Sequence, residues 1–334
     1  MKHKIDAILT IYNEIKNLKT CLHSLFNQTL PPNRLIVVDA GSTDGSIEFI
    51  KNLEKKYPIK LIVKKGCNRS EGRNIGIRQS STEYIFCLNA DVKLYRDCIE
   101  NLLKTIASDK KIGATGGIQV FPKTQTNIAK AIWHLPRMSE LSEVNLPAIR
   151  EKSTVEVKNV PCECCIWRRK ALLEAGLFNE KLNYGEDPEL HYRMRKKGWR
   201  IVATRNAKFE HVYKNTITKF SKQQILYGIG GFSLLIHAPA AAIEILGWKI
   251  YVSLMLPLSL ILLLINQFLF WTIVIIVFSI LLTLCLIPAV KAFQREKNIR
   301  LFFLVLFLQF IKHLTNLIGF YIGVFYEIRR LIKL

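Results

Sequence analysis

The stretch Glu83–Val92 reads Glu-Tyr-Ile-Phe-Cys-Leu-Asn-Ala-Asp-Val, and it decides the fold. Tyr84–Leu88 is a short apolar run typical of a buried strand, and it ends at a polar triplet whose last residue is Asp91. In an open parallel α/β sheet, ligands bind where the strands end, so a carboxylate there is well placed to hold a divalent cation against a phosphate. Capping a helix that begins near Tyr95 is an equally ordinary role for Asp91.

Three further strands are predicted before this one, and each is followed by a polar loop and a helical pattern. They are Ile5–Ile11, Leu35–Val38 and Leu61–Val63. Strands that alternate with helices form βαβ units, and right-handed crossovers place their loops on one edge of a parallel sheet. The sequence therefore predicts an α/β fold with helices on both faces of the sheet.

The loops at this edge carry groups suited to a nucleotide diphosphate. Tyr12 could stack on a base, Asp39 could accept a hydrogen bond from it or from a ribose, and Arg69 and Arg73 could neutralise phosphate. Each could also be a loop residue that makes caps and turns, and this is the stronger interpretation for Asp44. Because the glycine fingerprint of dinucleotide-binding folds and the phosphate-loop motif are missing, dehydrogenase and NTPase activities are disfavoured.

Five short motifs follow one another: Thr10-Ile-Tyr-Asn-Glu14, Val38-Asp-Ala-Gly-Ser-Thr-Asp-Gly45, Gly72-Arg-Asn-Ile-Gly76, Asn89-Ala-Asp91 and Gly185-Glu-Asp187. In order and spacing the set resembles the family-2 glycosyltransferases of the GT-A fold. The resemblance covers about residues 4–215. It implies a nucleotide-diphospho-sugar transferase fold with a mostly parallel central sheet.

The resemblance also implies roles for individual residues. The nucleotide pocket would be lined by Thr10, Tyr12, Glu14 and Asp39, and Arg73 would face the diphosphate. The metal, Mn²⁺ or Mg²⁺, would be bound by Asp91, His211 and Asn89. The family motif usually reads Asp-x-Asp, so Asn89 is a departure that supplies an oxygen without a charge.

Glu186 and Asp187 open a predicted helix, and Pro188 fits its first turn. Both acids could simply complement the helix dipole. An inverting sugar transfer, however, needs a carboxylate to take the proton of the acceptor hydroxyl. We therefore expect Asp187 to be the catalytic base and Glu186 to orient the acceptor or the helix.

The chain becomes strongly apolar after the predicted catalytic domain, residues 1–225. An interfacial linker helix is predicted at 226–248 and a membrane region at 249–334, with a hairpin at about 250–290 and a third apolar helix at about 301–326. Polar and charged residues interrupt the third helix and basic residues flank it, which favours a position in the interface over a re-entrant segment or a third span.

Charge and cysteine usage place the catalytic domain in the cytoplasm, on a multi-pass protein of the cell membrane. The formal net charge of +22 suits anionic lipids or a phosphorylated substrate, and no nucleic-acid-binding module is apparent. The basic loop at 291–300 is expected on the cytoplasmic side. The Met1-Lys2-His3-Lys4 start leads directly into a strand, and the cysteines, including the cluster at 162–165, indicate reduced thiols.

These features predict an inverting glycosyltransferase that moves one sugar from a nucleotide-diphosphate sugar to a hydroxyl of a lipid-linked, polyprenyl-carried saccharide. One alternative is a polyprenyl-phosphate sugar synthase that charges the lipid phosphate directly. Another is an inactive membrane-anchored sugar-nucleotide sensor or scaffold, which Asn89 would favour. Because the signature Gln-x-x-Arg-Trp of processive synthases is not found, transfer of a single sugar is favoured over polymerisation.

Overall fold

The computed structural model describes residues 4–122, 125–136, 147–247, 250 and 266–332. Its strands are β1 Ile5–Ile11, β2 Arg34–Asp39, β3 Ile59–Val63, β4 Tyr84–Leu88, β5 Val92–Leu94, β6 Ile112–Val120, β7 Thr154–Glu156, β8 Cys164–Arg168 and β9 Arg200–His211. Its helices are α1 Ile15–Phe26, α2 Ser46–Glu54, α3 Arg69–Gln79, α4 Cys98–Ala107, α5 Asn127–Trp133, α6 Arg169–Ala175, α7 Glu186–Lys196, α8 Ile217–His237, α9 Pro239–Leu246, α10 Gln267–Glu296 and α11 Ile299–Ile332.

All nine strands form one sheet in the order β3-β2-β1-β4-β8-β6-β9-β5, with β7 paired to β9. The first four strands of this order are parallel to one another, and so are β6 and β9. The strand β8 runs antiparallel to both β4 and β6. The predicted mostly parallel α/β sheet is confirmed, and β8 joins its two parallel parts.

Two details near the polar edge differ from the sequence prediction. A short strand, β5, follows Asp91, and the next helix begins only at Cys98 with Asp97 in the N-cap position. Asp91 is therefore not the cap of that helix. The last strand, β9, includes His211 as its final residue, which pairs with Val92 of β5.

The core lies on both faces of the sheet, as the alternation of side chains along each strand requires. On one face Leu9, Leu35 and Phe86 pack with apolar residues of α1 and α4. On the other face Ile8 and Trp167 pack with apolar residues of α3, α6 and α7. Full burial of each such side chain contributes about 1.5–3 kcal/mol to stability.

Two glycines bring α3 close to β1. A Cβ atom at Gly76 would lie 2.6 Å from Cγ2 of Ile8, and one at Gly72 would lie 3.0 Å from Cγ2 of Thr10. The helix therefore packs with its backbone against the strand. Arg73 lies between the two glycines in sequence, so it belongs to the part of α3 that packs closely against β1.

The chain forms two compact units. The first comprises Met1–Pro122 and Ser139–Val212 and contains the sheet, and the second comprises Lys123–Met138 and Tyr213–Leu334. The predicted domain bounds at 225 and 248 stay predictions. Part of the predicted hairpin, residues 251–265, lies outside the described residues.

Helices dominate the second unit, and α5 packs among them. Trp133 contacts Tyr213 edge-on, Lys130 Nζ lies 2.6 Å from Glu296 Oε2, and Lys312 donates a hydrogen bond to the carbonyl of Pro136. The helices α8 and α11 touch through glycine, because a Cβ atom at Gly228 or Gly319 would overlap the backbone of the other helix.

Among the described residues, Gln267–Glu296 and Ile299–Arg329 are long and apolar enough to cross a membrane. The second of these belongs to one continuous helix of 34 residues. Such a helix is about 50 Å long, more than the hydrocarbon core of a bilayer requires. The position of this helix in the interface stays a prediction.

Candidate active site

The loops that follow β1 and β2 are joined by hydrogen bonds. The Asn13 N–H donates to Ser42 Oγ at 2.8 Å, and Asn13 Oδ1 accepts from the Thr43 N–H at 2.8 Å. Asp44 accepts from the Ile15 N–H at 3.0 Å, so its carboxylate organises this loop pair, in agreement with the structural role predicted for it. The two loops form one rim above the carboxyl ends of β1 and β2.

Asp39 lies fully buried at the end of β2. Its Oδ1 accepts from the N–H groups of Gly41 and Ser42, both at 2.7 Å. Its Oδ2 is buried and has no hydrogen-bond partner among the described residues. A buried carboxylate oxygen is costly to leave without a donor, so this atom is suited to accept an N–H or O–H of a bound ligand.

The other residues predicted to contact the nucleotide lie on the same rim. The Tyr12 ring is 61% exposed, which leaves it available for stacking. Thr10 is half-buried beside Gly72, and Glu14 accepts from the Asn17 side chain at 2.8 Å. Arg69 is exposed at the start of α3, with its guanidinium carbon 5.7 Å from the centroid of the Tyr184 ring.

Asp91 and His211 lie close together, because Asp91 immediately precedes β5 and His211 is the residue of β9 that pairs with Val92 of β5. Asp91 Oδ2 lies 3.2 Å from His211 Nε2. Asn89, two residues before Asp91, is half-buried. A carboxylate and an imidazole are donors that Mn²⁺ accepts, so Asp91 and His211 are suited to two of the positions around such an ion. Among the described residues, however, no three His, Cys, Asp or Glu side chains are arranged to hold a metal ion.

Arg73 joins the two acids of the Gly-Glu-Asp motif. Its Nη1 atom lies 2.8 Å from Glu186 Oε1 and 2.9 Å from Asp187 Oδ1. The side chains of Arg73 and Glu186 are 4% and 5% exposed, whereas that of Asp187 is 16% exposed. Arg73, predicted to face a diphosphate, is thus paired with both acids, and Asp187 is the more accessible of the two.

The surroundings separate the two carboxylates electrostatically. Burial, and then the charge of Asp187, raises the pKa of Glu186. Burial would also raise the pKa of Asp187, but the Arg73 charge and the Cys162 N–H, which donates to Asp187 Oδ2 at 3.0 Å, lower it below its usual value. Because the two pKa values shift in opposite directions, Asp187 is the more readily ionised member of the pair.

His191 lies one helical turn after Asp187 in α7. The imidazole is fully buried and stacks on Trp167 with 4.5 Å between ring centroids. Neither ring nitrogen has a hydrogen-bond partner among the described residues. Burial lowers the pKa of His191 to about 4, so the ring is neutral at physiological pH.

Sequence reasoning missed two residues of this edge. The backbone of Cys162 binds the proposed base, and Glu163 Oε1 lies 4.0 Å from His211 Nε2. Both belong to the segment 162–165, which the sequence analysis interpreted only as a cluster of reduced thiols. The acid within this run of cysteines was the available signal, but its position depends on the antiparallel pairing of β8 with β4.

Residues 6–176 match the family described as Glycosyl transferase family 2. The chain is 25% identical over 236 residues to a dolichyl N-acetyl-alpha-D-glucosaminyl phosphate 3-beta-D-2,3-diacetamido-2,3-dideoxy-beta-D-glucuronosyltransferase of Methanococcus voltae, covering 67% of this chain and 71% of that one. It is also 25% identical over 244 residues to the poly-beta-1,6-N-acetyl-D-glucosamine synthase of Staphylococcus epidermidis, covering 70% of this chain but only 56% of that protein.

Two solved structures share the fold. The mannosyltransferase PcManGT from Pyrobaculum calidifontis, in complex with GDP-Man and Mn²⁺, has a TM-score of 0.55 at 17% identity, over 76% of this chain and 71% of that one. GalNAc-T7 with UDP, GalNAc and Mn²⁺ has a TM-score of 0.53 at 14% identity, over 69% of this chain and 51% of that one. These similarities confirm the fold predicted from the sequence.

Proposed function

Because the chain belongs to glycosyl transferase family 2, we propose that it is a membrane-anchored inverting transferase that uses a nucleotide-diphosphate sugar. One sugar would pass to a hydroxyl of a lipid-linked saccharide at the cytoplasmic face of the membrane. The observation that carries this proposal is the partly accessible Asp187 carboxylate, which lies 2.9 Å from the buried Arg73 guanidinium.

The role of Asp187 follows from the chemistry of a single displacement. The acceptor oxygen attacks the anomeric carbon, the bond from that carbon to the diphosphate oxygen breaks, and the acceptor proton passes to a base. A carboxylate that is ionised and within reach of the hydroxyl supplies this base. A lipid phosphate is already ionised and needs none, so the presence of Asp187 favours a hydroxyl acceptor.

The donor would lie along the rim described above. Asp39 Oδ2 would accept a hydrogen bond from the base, Tyr12 would stack on it, and Arg69 would lie near the phosphates. A divalent cation held by Asp91 and His211 would stabilise the charge that develops on the departing diphosphate. Mn²⁺ accompanies the nucleotide in both solved structures of this fold described above, which supports this choice of cofactor.

The acceptor class is proposed from the second unit. Two helices long enough to cross a membrane follow the sheet-containing part in sequence, which is useful when the acceptor is itself held in a bilayer. The name of the Methanococcus voltae relative describes transfer to a dolichyl-linked sugar phosphate. Basic residues near the helix ends suit anionic lipids and a cytoplasmic orientation.

The test uses detergent-purified full-length protein with Mn²⁺, a panel of nucleotide sugars, and either bare polyprenyl phosphate or a lipid-linked sugar. We expect transfer only to the lipid-linked sugar, one residue per acceptor, and a loss of about 10²–10⁴-fold in Asp187→Asn. Glycosylation of bare polyprenyl phosphate that Asp187→Asn hardly slows would instead identify a carrier-charging synthase. Products with many added sugars would identify a polymerase, and nucleotide binding without any transfer would identify a sensor or scaffold.

A further inference from the structure

The segment 177–184, which leads into the Gly-Glu-Asp motif, begins with a strained residue. Leu177 has a φ of 62°, in the left-handed region that bulky side chains rarely adopt. Such a conformation costs about 1–3 kcal/mol and persists only where the surrounding structure holds it in place. Leu177 is buried, and its carbonyl accepts a hydrogen bond from Arg193 Nη2 at 2.7 Å. The path of the chain toward the proposed base is therefore fixed by contacts around this residue.

Asn74 of α3 binds both backbone groups of the next residue, Phe178. Its Nδ2 donates to the Phe178 carbonyl at 2.9 Å, and its Oδ1 accepts from the Phe178 N–H at 2.9 Å. Nδ2 also donates to Glu180 Oε1 at 2.8 Å. Asn74 is 1% exposed, so a backbone group that lost one of these bonds would be costly to leave without a partner. The amide thus uses both of its donor hydrogens and its oxygen on the segment 177–184.

Two further side chains of α3 bind the same segment. Ser70 Oγ donates to the Leu182 carbonyl at 2.6 Å, and Asn68 Nδ2, at the N-cap of the helix, donates to the Glu180 carbonyl at 2.6 Å. Together with Asn74, these side chains bind the carbonyls of residues 178, 180 and 182. The segment is therefore held to one helix at three alternate residues.

The neighbour of Asn74 in α3 binds the proposed base. Arg73 Nη1 lies 2.9 Å from Asp187 Oδ1, and the guanidinium carbon of Arg73 lies 5.3 Å from the centroid of the Phe178 ring. Both ends of the stretch 178–187 are thus bound to adjacent residues of one helix. A displacement of Phe178 would move the ring that covers Arg73, and with it the chain that carries Asp187.

We propose that Asn74 is a positioning residue for sugar transfer, which fixes the place of Asp187 by holding Phe178 and the segment that follows it. This inference rests on the proposed function, in which Asp187 is the base. A misplacement of about 1 Å in a reacting group can cost on the order of 10²-fold in rate, because the groups must be held close to the geometry of attack. Asn74 is therefore expected to affect the chemical step rather than the binding of the donor.

Asn74→Asp tests the proposal with a change that hardly alters the volume of the side chain. The carboxylate still accepts from the Phe178 N–H, but it donates nothing to the Phe178 carbonyl and repels the Glu180 carboxylate. We expect kcat of the full-length protein, with Mn²⁺, nucleotide sugar and lipid-linked sugar, to fall about 10–100-fold. The Kd of UDP and of GDP, measured by calorimetry, should not change, because Asn74 bonds to Phe178 and Glu180 rather than to the nucleotide rim.

Hydrogen exchange measured by mass spectrometry reports the same contacts without any reaction. With the donated bonds lost, peptides that cover residues 177–187 should exchange at least about fivefold faster in Asn74→Asp, since their local opening then costs less free energy. Ser70→Ala, which removes only the bond to the Leu182 carbonyl, should show a smaller change in both exchange and kcat.

Gln28→Glu is the matched control, because it makes the same amide-to-carboxyl change at another buried side chain that binds backbone. Gln28 is 6% exposed, and its Nε2 donates to the carbonyls of Ser24 and Tyr95 at 2.9 and 2.8 Å. Both variants should lower the midpoint of thermal unfolding, since both leave a buried carbonyl without its donor. Only Asn74→Asp should lower kcat and speed exchange in the segment, which separates a positioning role from a general loss of stability.

Three results would overturn the inference: a kcat of Asn74→Asp equal to that of wild type, an equal fall in kcat in Gln28→Glu, or hydrogen exchange of the segment at the wild-type rate. Weaker binding of UDP and GDP that accounts for the whole loss of activity would overturn it as well. Wild-type protein that transfers no sugar would overturn the proposed function and this inference with it. Transfer by wild type that Asn74→Asp fully retains would overturn this inference alone, so the two failures are distinguishable.

Discussion

The Nη1 atom of Arg73 lies 2.9 Å from Oδ1 of Asp187, and the guanidinium is almost completely buried. A buried ion pair of this kind stabilises the protein only weakly, but removing one partner is costly because the other charge stays buried. The pair does have a chemical effect, since the nearby positive charge favours the ionised carboxylate. The pair would therefore set the lower end of the pH range in which Asp187 serves as the proposed base.

Arg73→Gln should shift the pH dependence of transfer. Burial would then raise the pKa of Asp187 without the opposing charge, so the carboxylate would be protonated at higher pH than in wild type. We expect the acid limb of kcat/KM, measured from pH 4.5 to 8.5, to move to higher pH in this variant. Arg78→Gln, in the same helix but exposed, is the control. An unchanged acid limb in Arg73→Gln would contradict the pairing argument.

Asp39→Asn should weaken nucleotide binding. The amide retains one oxygen for the Gly41 and Ser42 N–H groups, but it replaces the unpartnered Oδ2 acceptor by a donor. Loss of a hydrogen bond to a charged acceptor costs about 1.5–3 kcal/mol, which is about 10–150-fold in Kd. Titration calorimetry with UDP and with GDP measures the effect. Equal affinity of variant and wild type for both nucleotides would exclude a ligand role for Oδ2.

His191→Phe should reduce the acid sensitivity of the fold. Above pH 6.5 the imidazole is neutral in both states, but at lower pH the unfolded chain binds a proton that the folded chain, with a pKa of about 4, does not bind. This difference lowers the free energy of unfolding by about 3 kcal/mol between pH 7 and pH 4. Phenylalanine keeps the stacking on Trp167 without the titration.

The measurement for this prediction is the unfolding midpoint of both proteins at pH 7, 6, 5 and 4.5. The midpoint of wild type should fall more steeply than that of the variant as the pH decreases. Parallel curves would show that His191 does not titrate in this window.

Gly76→Ala should destabilise the protein by about 1–3 kcal/mol, because a methyl group would be forced into contact with Ile8. Gly231→Ala in α8 is the control, since its Cβ would meet Leu246 at an ordinary 3.7 Å. Chemical denaturation of the two variants in detergent compares them. A stable Gly76→Ala protein would show that α3 can move away from β1 without cost.

The sequence predicted well what depends on local pattern. Four strand positions, the turn at Gly185 and the helix that begins at Glu186 follow from apolar runs, glycine and the first-turn acids, and they are found close to their predicted bounds. The strands β5 and β7 were missed, because strands of three residues have little apolar periodicity of their own.

The contacts within the site were less predictable. The pairing of Arg73 with Glu186 and Asp187 was not predicted, because more than 110 residues separate the arginine from the two acids. The role of Arg73 at the diphosphate stays a prediction. Glu163 was overlooked because its neighbours Asn89 and His211 are distant in sequence and meet it only through β8 and β9. Pairing between strands far apart along the chain is set by the whole sheet rather than by local residue preferences.

The insertion of α5 into the helical unit bears on how this protein can be produced in the laboratory. A shortened form that ends at Val212 would keep α5 but lose Tyr213 and Glu296. In the intact chain Trp133 of α5 contacts Tyr213, and Lys130 of α5 pairs with Glu296. The apolar residues of α5 that are buried in the intact chain would then meet water and promote aggregation. A water-soluble catalytic fragment of this enzyme therefore requires two cuts, one after the sheet and one that replaces residues 123–138 by a short polar turn.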